Sequence, residues 1–237
     1  MDVTGDFEAH VTVGCRAAEI DAIARWAAEH GLKFTHIVLD RGRVTSQPML
    51  TLRTSGTLDG ARAAAGDAAA RLRSAGYAVT RLKIEAAPWN RGVPSADADA
   101  RDPARYFEHH LKLLLGARFD AAALIGAVLP HTAHLSRNAR RVRADGRHER
   151  FVTQRCRLVG SLTAGRRLAA LTGTLRAAGH EIASVEREYV VHDGDASLDE
   201  GWIPGDLTVD GGPAVDDRLE EARITGADRD AGKRRAS

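Results

Sequence analysis

Apolar and polar residues alternate over residues 7–13, which read Phe-Glu-Ala-His-Val-Thr-Val. A period of two residues predicts a β-strand with one buried face. The following pattern predicts, in order, a helix over 17–29, strands over 34–40 and 48–53, a helix over 58–72 that stops before Gly76, and a strand over 79–85. Thr57 precedes the second helix as an N-cap, so both ends of that helix are marked.

The same order of elements returns in the second half of the chain. Strands are predicted over 106–115, 132–138, 149–158 and 181–191, and helices over 119–129 and 163–178. The repeat also includes residues that can take part in chemistry, because Phe7-Glu8-x-His10 matches Phe107-Glu108-x-His110. The order βαββαβ, found twice, predicts an α+β protein built by tandem duplication of a ferredoxin-like unit, with antiparallel sheets and helices on one face.

The repeat divides the chain into five parts. We predict a first ferredoxin-like repeat at 1–88, a linker at 89–104 that contains Pro94 and Pro103, and a second repeat at 105–192. Residues 193–215 contain the apolar pair Trp202-Ile203 and are predicted to pack on the domain as an arm. Residues 216–237 alternate acidic and basic side chains and are predicted to be a disordered tail.

The polar residues of the strands predict a shared cleft. Strand alternation places one set of side chains on the sheet face away from the helices. A ferredoxin-like sheet has the strand order 4-1-3-2, which brings this set together in each unit. In the two units it includes Glu8, His10, Thr51, Arg53, Lys83 and Glu85, and Glu108, His110, Thr153, Arg155 and Glu188. A wet sheet face needs polar residues but not the same ones twice, so we expect two faces that enclose one cleft.

Two histidines in one cleft suit acid-base catalysis on a phosphoester, with one as general base and the other as general acid. The segment His10-Val11-Thr12-Val13 has the form His-x-Thr-x and resembles the motif of the 2H phosphoesterases. That family carries the motif twice in an internally duplicated fold. The second copy here, beginning at His110, has Lys112 in place of Thr or Ser. The resemblance implies that His10 and His110 form the acid-base pair.

We therefore predict that the protein binds a small anionic ligand, such as a phosphorylated one, and can hydrolyse a phosphoester. Glu8 and Glu108 would orient the two histidines. The predicted ligand-binding residues carry hydroxyl or cationic groups that suit phosphate oxygens. They are Thr12, Lys112, Arg53, Arg155, Thr51, Thr153 and Lys83.

Two alternatives remain open at this stage. Glu and His at alternate positions of a strand can converge on an ion, so a divalent metal site is the first alternative. Its predicted ligands are Glu8, His10, His36, Glu108, His110 and His134. The second alternative is recognition without chemistry, in which Arg53 and Arg155 grip an anion or the paired sheets only dimerise. The two-histidine mechanism itself requires no cofactor.

Composition narrows the classes of partner. The 237 residues carry a formal net charge of +2, which does not indicate a nucleic-acid surface, although it does not exclude one. No apolar run reaches the ~18 residues of a membrane helix, so we expect no membrane partner and a cytoplasmic location. Cys15 and Cys156 occupy unmatched places, which argues against a disulfide framework or a zinc ribbon. The sequence leaves the substrate and the oligomeric state open.

Overall fold

A computed structural model describes residues 2–140 and 144–206 of the chain. Each half has four strands, with a helix after its first strand and another after its third. The first half contains β1 (Thr4–Gly14), α1 (Ile20–Glu29), β2 (Lys33–Leu39), β3 (Ser46–Thr57), α2 (Leu58–Ser74) and β4 (Ala78–Ala86). The second contains β5 (Tyr106–Leu115), α3 (Ala121–Val128), β6 (Ala133–Asn138), β7 (His148–Arg157), α4 (Ser161–Ala177) and β8 (Glu181–Asp193).

The eight strands form one closed antiparallel barrel. Their order around the barrel is β1-β3-β2-β6-β7-β5-β8-β4. Within the halves the pairing is long, and β5 pairs with β7 from Tyr106 to Leu115. Two shorter seams join the halves, because β2 pairs with β6 only over Ile37–Leu39 and β4 pairs with β8 from Lys83 to Ala86. The two halves therefore share one interior.

The apolar faces of the strands point outward and are covered by the helices. Under α1 and α2, buried Val11 and Leu50 pack with Ile23 and Leu72. Leu111 and Val152 pack in the same way under α3 and α4. The alternate residues of each strand must then point into the barrel, which is why its interior is polar.

The segment that follows β8 packs against the β2 end of the barrel. Its side chains Trp202 and Ile203 are buried against Leu39 and partly buried Ile37. The backbone of the turn after β2 holds the segment in place, since the Arg43 amide donates to Glu200 O (2.8 Å) and the Val44 amide to Leu198 O (3.1 Å). These contacts cover one end of the barrel interior.

The predicted α+β class with antiparallel strands and four helices is confirmed. The picture of sheets with open faces is wrong in one respect, because β2–β6 and β4–β8 pairing closes the strands into a barrel. Observed elements differ from the predicted ones mainly at their ends, as in β3, which runs to Thr57. The predicted tail at 216–237, and the part of the arm beyond residue 206, lie outside the described residues. Within the described residues, no helix combines the length and apolar character needed to span a membrane.

Candidate functional site

The barrel interior contains a cavity of about 240 Å³ that both halves line. Its walls carry acidic, basic and imidazole side chains together with a few apolar ones. The charged and imidazole groups are Glu8, His10, Lys33, Arg81, Lys83, Glu85, Glu108, His110, Lys112, Arg155, Glu186, Glu188 and Asp199. The cavity is the candidate site because it collects the residues that the two repeats share.

In the first half, His10 is held at both ring nitrogens. Its Nδ1 lies 2.9 Å from Thr51 Oγ1, which is its register partner on β3. Its Nε2 donates to Glu85 Oε2 at 2.9 Å. Glu8 stands further away, with Oε1 3.8 Å from His10 Nε2, and it accepts a bond from the exposed Arg53 at 2.7 Å. The ring orientation of His10 is therefore fixed by β3 and β4.

The second half repeats this arrangement around His110. Its Nδ1 lies 2.9 Å from Thr153 Oγ1, and its Nε2 lies 3.3 Å from Glu188 Oε2 and 3.4 Å from Glu108 Oε1. Thr153 matches Thr51, and Glu188 matches Glu85. The two halves thus form a pseudo-twofold set of His, Thr and Glu residues inside one barrel.

The two sets meet at the β4–β8 seam. Glu85, His110 and Glu188 each offer one ligand atom, and these atoms all lie within 4.8 Å of one another. Two carboxylates and an imidazole at this spacing can surround one ion. His10 extends the group, because its Nε2 bonds to the Glu85 carboxylate.

Burial and neighbouring charges shift the pKa values of these groups. Burial, together with the Glu85 charge, raises the pKa of Glu188 to about 7. Burial also opposes ionisation of Glu85, but the charges of Lys83 and His10 hold the pKa of Glu85 well below its usual range. For both histidines burial works against protonation, yet their carboxylate neighbours prevail. The pKa of His10 is raised by Glu85, and the pKa of His110 is raised to about 9 by Glu188 and Glu108.

Both histidine shifts point in the same direction. The pKa values of an acid and a base are usually pushed apart by their surroundings. Here the pair with separated pKa values consists of Glu85 and Glu188, which interact through a hydrogen bond and like charge. The separated pKa values therefore belong to the carboxylates and not to the histidines.

Lys83 breaks the twofold symmetry of the cluster. Its Nζ lies 2.7 Å from Glu85 Oε1 and 2.9 Å from Glu108 Oε2. The matched position in the second half is Glu186, which faces His110 in the register as Lys83 faces His10. Because Glu108 also accepts a bond from Arg155 at 3.1 Å, these cations hold its pKa at about 2 against the effect of burial.

Asp199 of the C-terminal segment engages two arginines on the cavity wall. Its Oδ2 accepts from Arg81 Nη1 at 3.0 Å and from Arg155 Nη2, and its Oδ1 accepts from Gln47 at 2.7 Å. Arg81 also forms a bidentate pair with Asp193 at 2.7 and 2.6 Å. The guanidinium groups of Arg81 and Arg155 are thus neutralised by carboxylates of the same chain.

A groove of about 680 Å³ adjoins the cavity along β1, β4 and β8. Glu8, Glu85 and Glu188 line both spaces, whereas Asp199 lines only the cavity. The remaining groove wall includes Arg53, Trp89 and Arg187. The cavity and the groove therefore meet at these three carboxylates, whereas the C-terminal segment borders only the cavity.

The structure places most of the predicted site residues around the cavity. His10, His110, Glu8, Glu108, Thr12, Lys112, Arg155, Thr51, Thr153 and Lys83 all line it. Arg53 does not, because its side chain is 79% exposed and lies in the groove against Glu8. Arg155 lines the cavity but is bound to Glu108, Asp199 and Asp206, so it is not a free anion holder.

The predicted position of His36 on the cavity side is wrong. Thr35 and Ile37 point into the cavity, so His36 lies on the outer face of β2, where its Nε2 is 2.9 Å from Ser46 Oγ. His134 is buried opposite Thr153 on β6 and is not among the cavity-lining residues. The structure does not bring either histidine into the Glu85–His110–Glu188 group.

Sequence reasoning did not select three residues that shape the site. Glu85 and Glu188 were matched between the repeats and assigned to the correct face, and that match was a usable signal. Asp199 comes from a segment outside the repeat, so no pattern pointed to it. Compared with known protein families and curated proteins, the chain matches none of them.

Proposed function

We propose that the barrel binds a small anionic, phosphorylated ligand together with a divalent cation held by Glu85, His110 and Glu188. The observation that carries this proposal is the convergence of two carboxylates and an imidazole within 4.8 Å in the barrel interior. Two adjacent carboxylates in a poorly solvated space repel each other, and a cation between them removes that repulsion.

The surroundings of His110 support its role as a ligand. A ligating histidine usually donates its other ring N–H to a nearby acceptor, which fixes the tautomer and the ring plane. His110 can donate from Nδ1 to Thr153 Oγ1 and leave the Nε2 lone pair for the ion. His10 has the same geometry with Thr51, but its Nε2 bonds to Glu85, so His10 is assigned as a proton carrier beside the cation ligands. A mixed imidazole and carboxylate set suits Mn²⁺, Fe²⁺ or Zn²⁺ better than Ca²⁺.

The anionic ligand would occupy the free part of the cavity. Three protein ligands leave coordination positions for phosphate oxygens. Lys33 and Lys112 line the same cavity and can contribute positive charge to such a ligand. Because carboxylates of the chain already bind Arg81, Lys83 and Arg155, we assign anion contacts first to Lys33, Lys112 and Thr12.

Phosphoester hydrolysis is the catalytic form of the proposal. The oxygen of a water molecule would bond to phosphorus while the P–O bond to the leaving group breaks. This form requires a His110 that is not bound to the cation. One histidine would take the proton of the water, and the other would give a proton to the leaving oxygen. The resemblance of the His10 segment to the 2H phosphoesterases supports this assignment, as does the position of both histidines on one cavity.

We also propose that the barrel arose by duplication of a ferredoxin-like unit. The strand orders β4-β1-β3-β2 and β8-β5-β7-β6, with helices after the first and third strands, support this origin. The matched triplets of His10, Thr51 and Glu85 and of His110, Thr153 and Glu188 support it further.

Calorimetric titration of the apoprotein with Mn²⁺ or Zn²⁺ tests the cation site. We expect one ion per chain in the wild type and an affinity loss of roughly a hundredfold in Glu188→Gln and in Glu85→Gln, since each removes a charged ligand. Glu186→Gln is the matched control, because Glu186 lies on the same strand and lines the same cavity but is outside the group of three. Absence of stoichiometric binding, or an equal loss in Glu186→Gln, would show that the cation site is wrong.

The same proteins test the anion and the chemistry. We expect metal-loaded wild type to bind inorganic triphosphate and Lys112→Met to bind it more weakly. Release of nitrophenol from bis(p-nitrophenyl) phosphate measures hydrolysis, and His10→Asn and His110→Asn should each lower turnover at least a hundredfold. Binding without turnover in the wild type would leave a ligand-binding protein and exclude the catalytic form on this substrate.

A further inference from the structure

We infer that the groove beside the cavity is an outer part of the ligand site, where Trp89 stacks on a planar aromatic ring of the phosphorylated ligand. This inference rests on the proposed function, which places the phosphate inside the barrel. It adds the ligand class, a phosphorylated compound that carries a flat ring such as a nucleobase, and it assigns the residue that recognises the ring.

The groove lies on the side of the cavity that the C-terminal segment does not cover. On the other side, Asp199 is fixed by Arg81 and Arg155, and Trp202 is buried with its Nε1 donating to Leu135 O at 3.0 Å. The groove and the cavity share Glu8, Glu85 and Glu188 as a common wall. A group bound in the groove therefore lies next to the proposed cation ligands.

The sizes of the two spaces indicate a ligand in two parts. The cavity of about 240 Å³ is smaller than the ~300 Å³ at which sites for whole organic ligands usually begin. The groove offers about 680 Å³. A phosphate group fits the cavity, whereas the organic part of a phosphorylated compound must extend into the groove.

Trp89 is an unusual residue for a free surface. Its side chain is 72% exposed. The other large apolar residues that are exposed within the described residues are aliphatic, namely Leu158, Leu162 and Val185. Trp89 is therefore the exposed aromatic among them, and it lies in the wall of the groove. An indole face in this position suits stacking with a planar ring.

The backbone around Trp89 is firmly held, so its exposure is not a sign of a loose loop. The neighbouring Asn90 is buried and bonds twice to Asp6, accepting from the amide at 3.0 Å and donating to the carbonyl at 2.8 Å. The Thr4 amide donates to Arg91 O at 3.0 Å, which adds a β-bridge beside this turn. A rigid turn that presents an indole to a groove is preorganised for binding.

Arg53 and Arg187 supply positive charge at the same groove. Arg53 is anchored by Glu8 at 2.7 Å, and both arginines can face phosphates that join the ring to the group in the cavity. In the inferred arrangement the ring would lie on Trp89, the phosphate chain would pass the arginines, and the proposed cation would offset the carboxylates that separate the groove from the cavity.

Calorimetry of the metal-loaded full chain with two probes tests the inference, the probes being inorganic triphosphate and adenosine triphosphate. We expect the wild type to bind the nucleotide roughly tenfold to a hundredfold more tightly than inorganic triphosphate, which is the range for one stacked base. Trp89→Ala should lose this advantage and keep its affinity for inorganic triphosphate, while Trp89→Phe should keep much of the advantage. Because Trp89 is exposed, these variants are expected to fold.

The outcomes separate the two proposals. Equal affinity of the wild type for both probes, or an equal loss for both in Trp89→Ala, overturns the Trp89 subsite and leaves the proposed function standing. Binding of neither probe overturns the proposed function and the subsite with it. Nucleotide binding that depends on Trp89 without any binding of inorganic triphosphate supports the subsite and overturns the phosphate site in the cavity.

Discussion

At the scale of single residues, Asp199 joins the C-terminal segment to the barrel interior. Its side chain is 3% exposed and faces two guanidinium groups, those of Arg81 and Arg155. Burial opposes its ionisation, but the charges of Arg155 and Arg81 hold the pKa of Asp199 well below its usual range. Removing one partner of a buried ionic group leaves the others uncompensated, which costs more than the pair itself contributes.

We expect Asp199→Asn to lower the free energy of unfolding by about 3 kcal/mol at pH 7, measured by urea denaturation. The effect should depend on pH in a defined direction. Because the folded-state pKa of Asp199 lies below the unfolded value of ~3.9, its stabilisation is complete above about pH 4 and is lost as the pH falls further. The difference between wild type and Asp199→Asn should therefore shrink below pH 4.

Glu200→Gln provides the matched control for this experiment. Glu200 is the next residue of the same segment and is exposed, so its substitution should change stability by less than about 0.5 kcal/mol. A difference between wild type and Asp199→Asn that stayed constant from pH 7 to pH 2 would contradict the assigned role of the Asp199 charge.

At the scale of elements, the turn after β4 depends on a glycine in β1. Gly5 has a φ of +137°, and a Cβ at this position would lie 2.2 Å from Asn90 Oδ1. The absence of a side chain lets Asn90 reach the Asp6 backbone and hold the turn that presents Trp89. The position therefore demands glycine for both backbone conformation and space.

We predict that Gly5→Ala lowers the free energy of unfolding by about 2 kcal/mol or more, through backbone strain and the clash with Asn90. Gly66→Ala is the matched control. Gly66 lies inside α2 and has open space within 4 Å of the place that a Cβ would occupy, so alanine should stabilise the protein by about 0.5 to 1 kcal/mol. Thermal unfolding of both variants measures the contrast, and the same sign in both would count against the assignment.

Strand β2 shows where alternation stops being informative. The strand lies where it was predicted, but the metal alternative needed His36 on the cavity side, and the structure has His36 on the other face beside Ser46. Both faces of β2 carry apolar residues, because Trp202 and Ile203 cover Ile37 and Leu39 inside the barrel. The prediction relies on one face of a strand being polar and the other apolar. In β2 a distant segment covers the inner face, so both faces carry apolar residues and this contrast is lost. Strand β1 has a polar inner face, and there the predicted sides were right.

At the scale of the whole molecule, the barrel depends on two short seams. The β2–β6 seam pairs three residues of each strand, whereas β5 and β7 pair over ten. The β4–β8 seam is also short, but the buried ion pair between Arg81 of β4 and Asp193 of β8 reinforces it. We therefore expect the barrel to open first at the β2–β6 seam.

We expect hydrogen exchange to reveal this seam. The Asp40 amide donates to Leu135 O at 3.1 Å and the Ala139 amide to His36 O at 2.8 Å, and both bonds cross it. Their protection factors should be at least tenfold lower than that of the Leu111 amide in the core of the β5–β7 pair. Equal protection at these sites would mean that the barrel opens only by global unfolding.

The sequence was enough to predict many of the residues that form the site, but it was not enough to predict how they are arranged. Repetition singled out His10 and His110, and alternation placed them on a common face, since both signals are local. The meeting of Glu85 with Glu188 depends on the β4–β8 seam, and no local pattern specifies pairing between the two halves. The neutralisation of Arg155 by Asp199 depends on a segment with no counterpart in the repeat.

Closure of the barrel also affects how the protein behaves in concentrated solution. Every described strand has a hydrogen-bonded neighbour on both sides over at least part of its length, which limits the strand edge along which another chain could add. Opening of the β2–β6 seam would expose two further strand edges at once. Self-association of this protein should therefore follow the opening of that seam, and a substitution that tightens β2 against β6 should delay aggregation even where it adds little to overall stability.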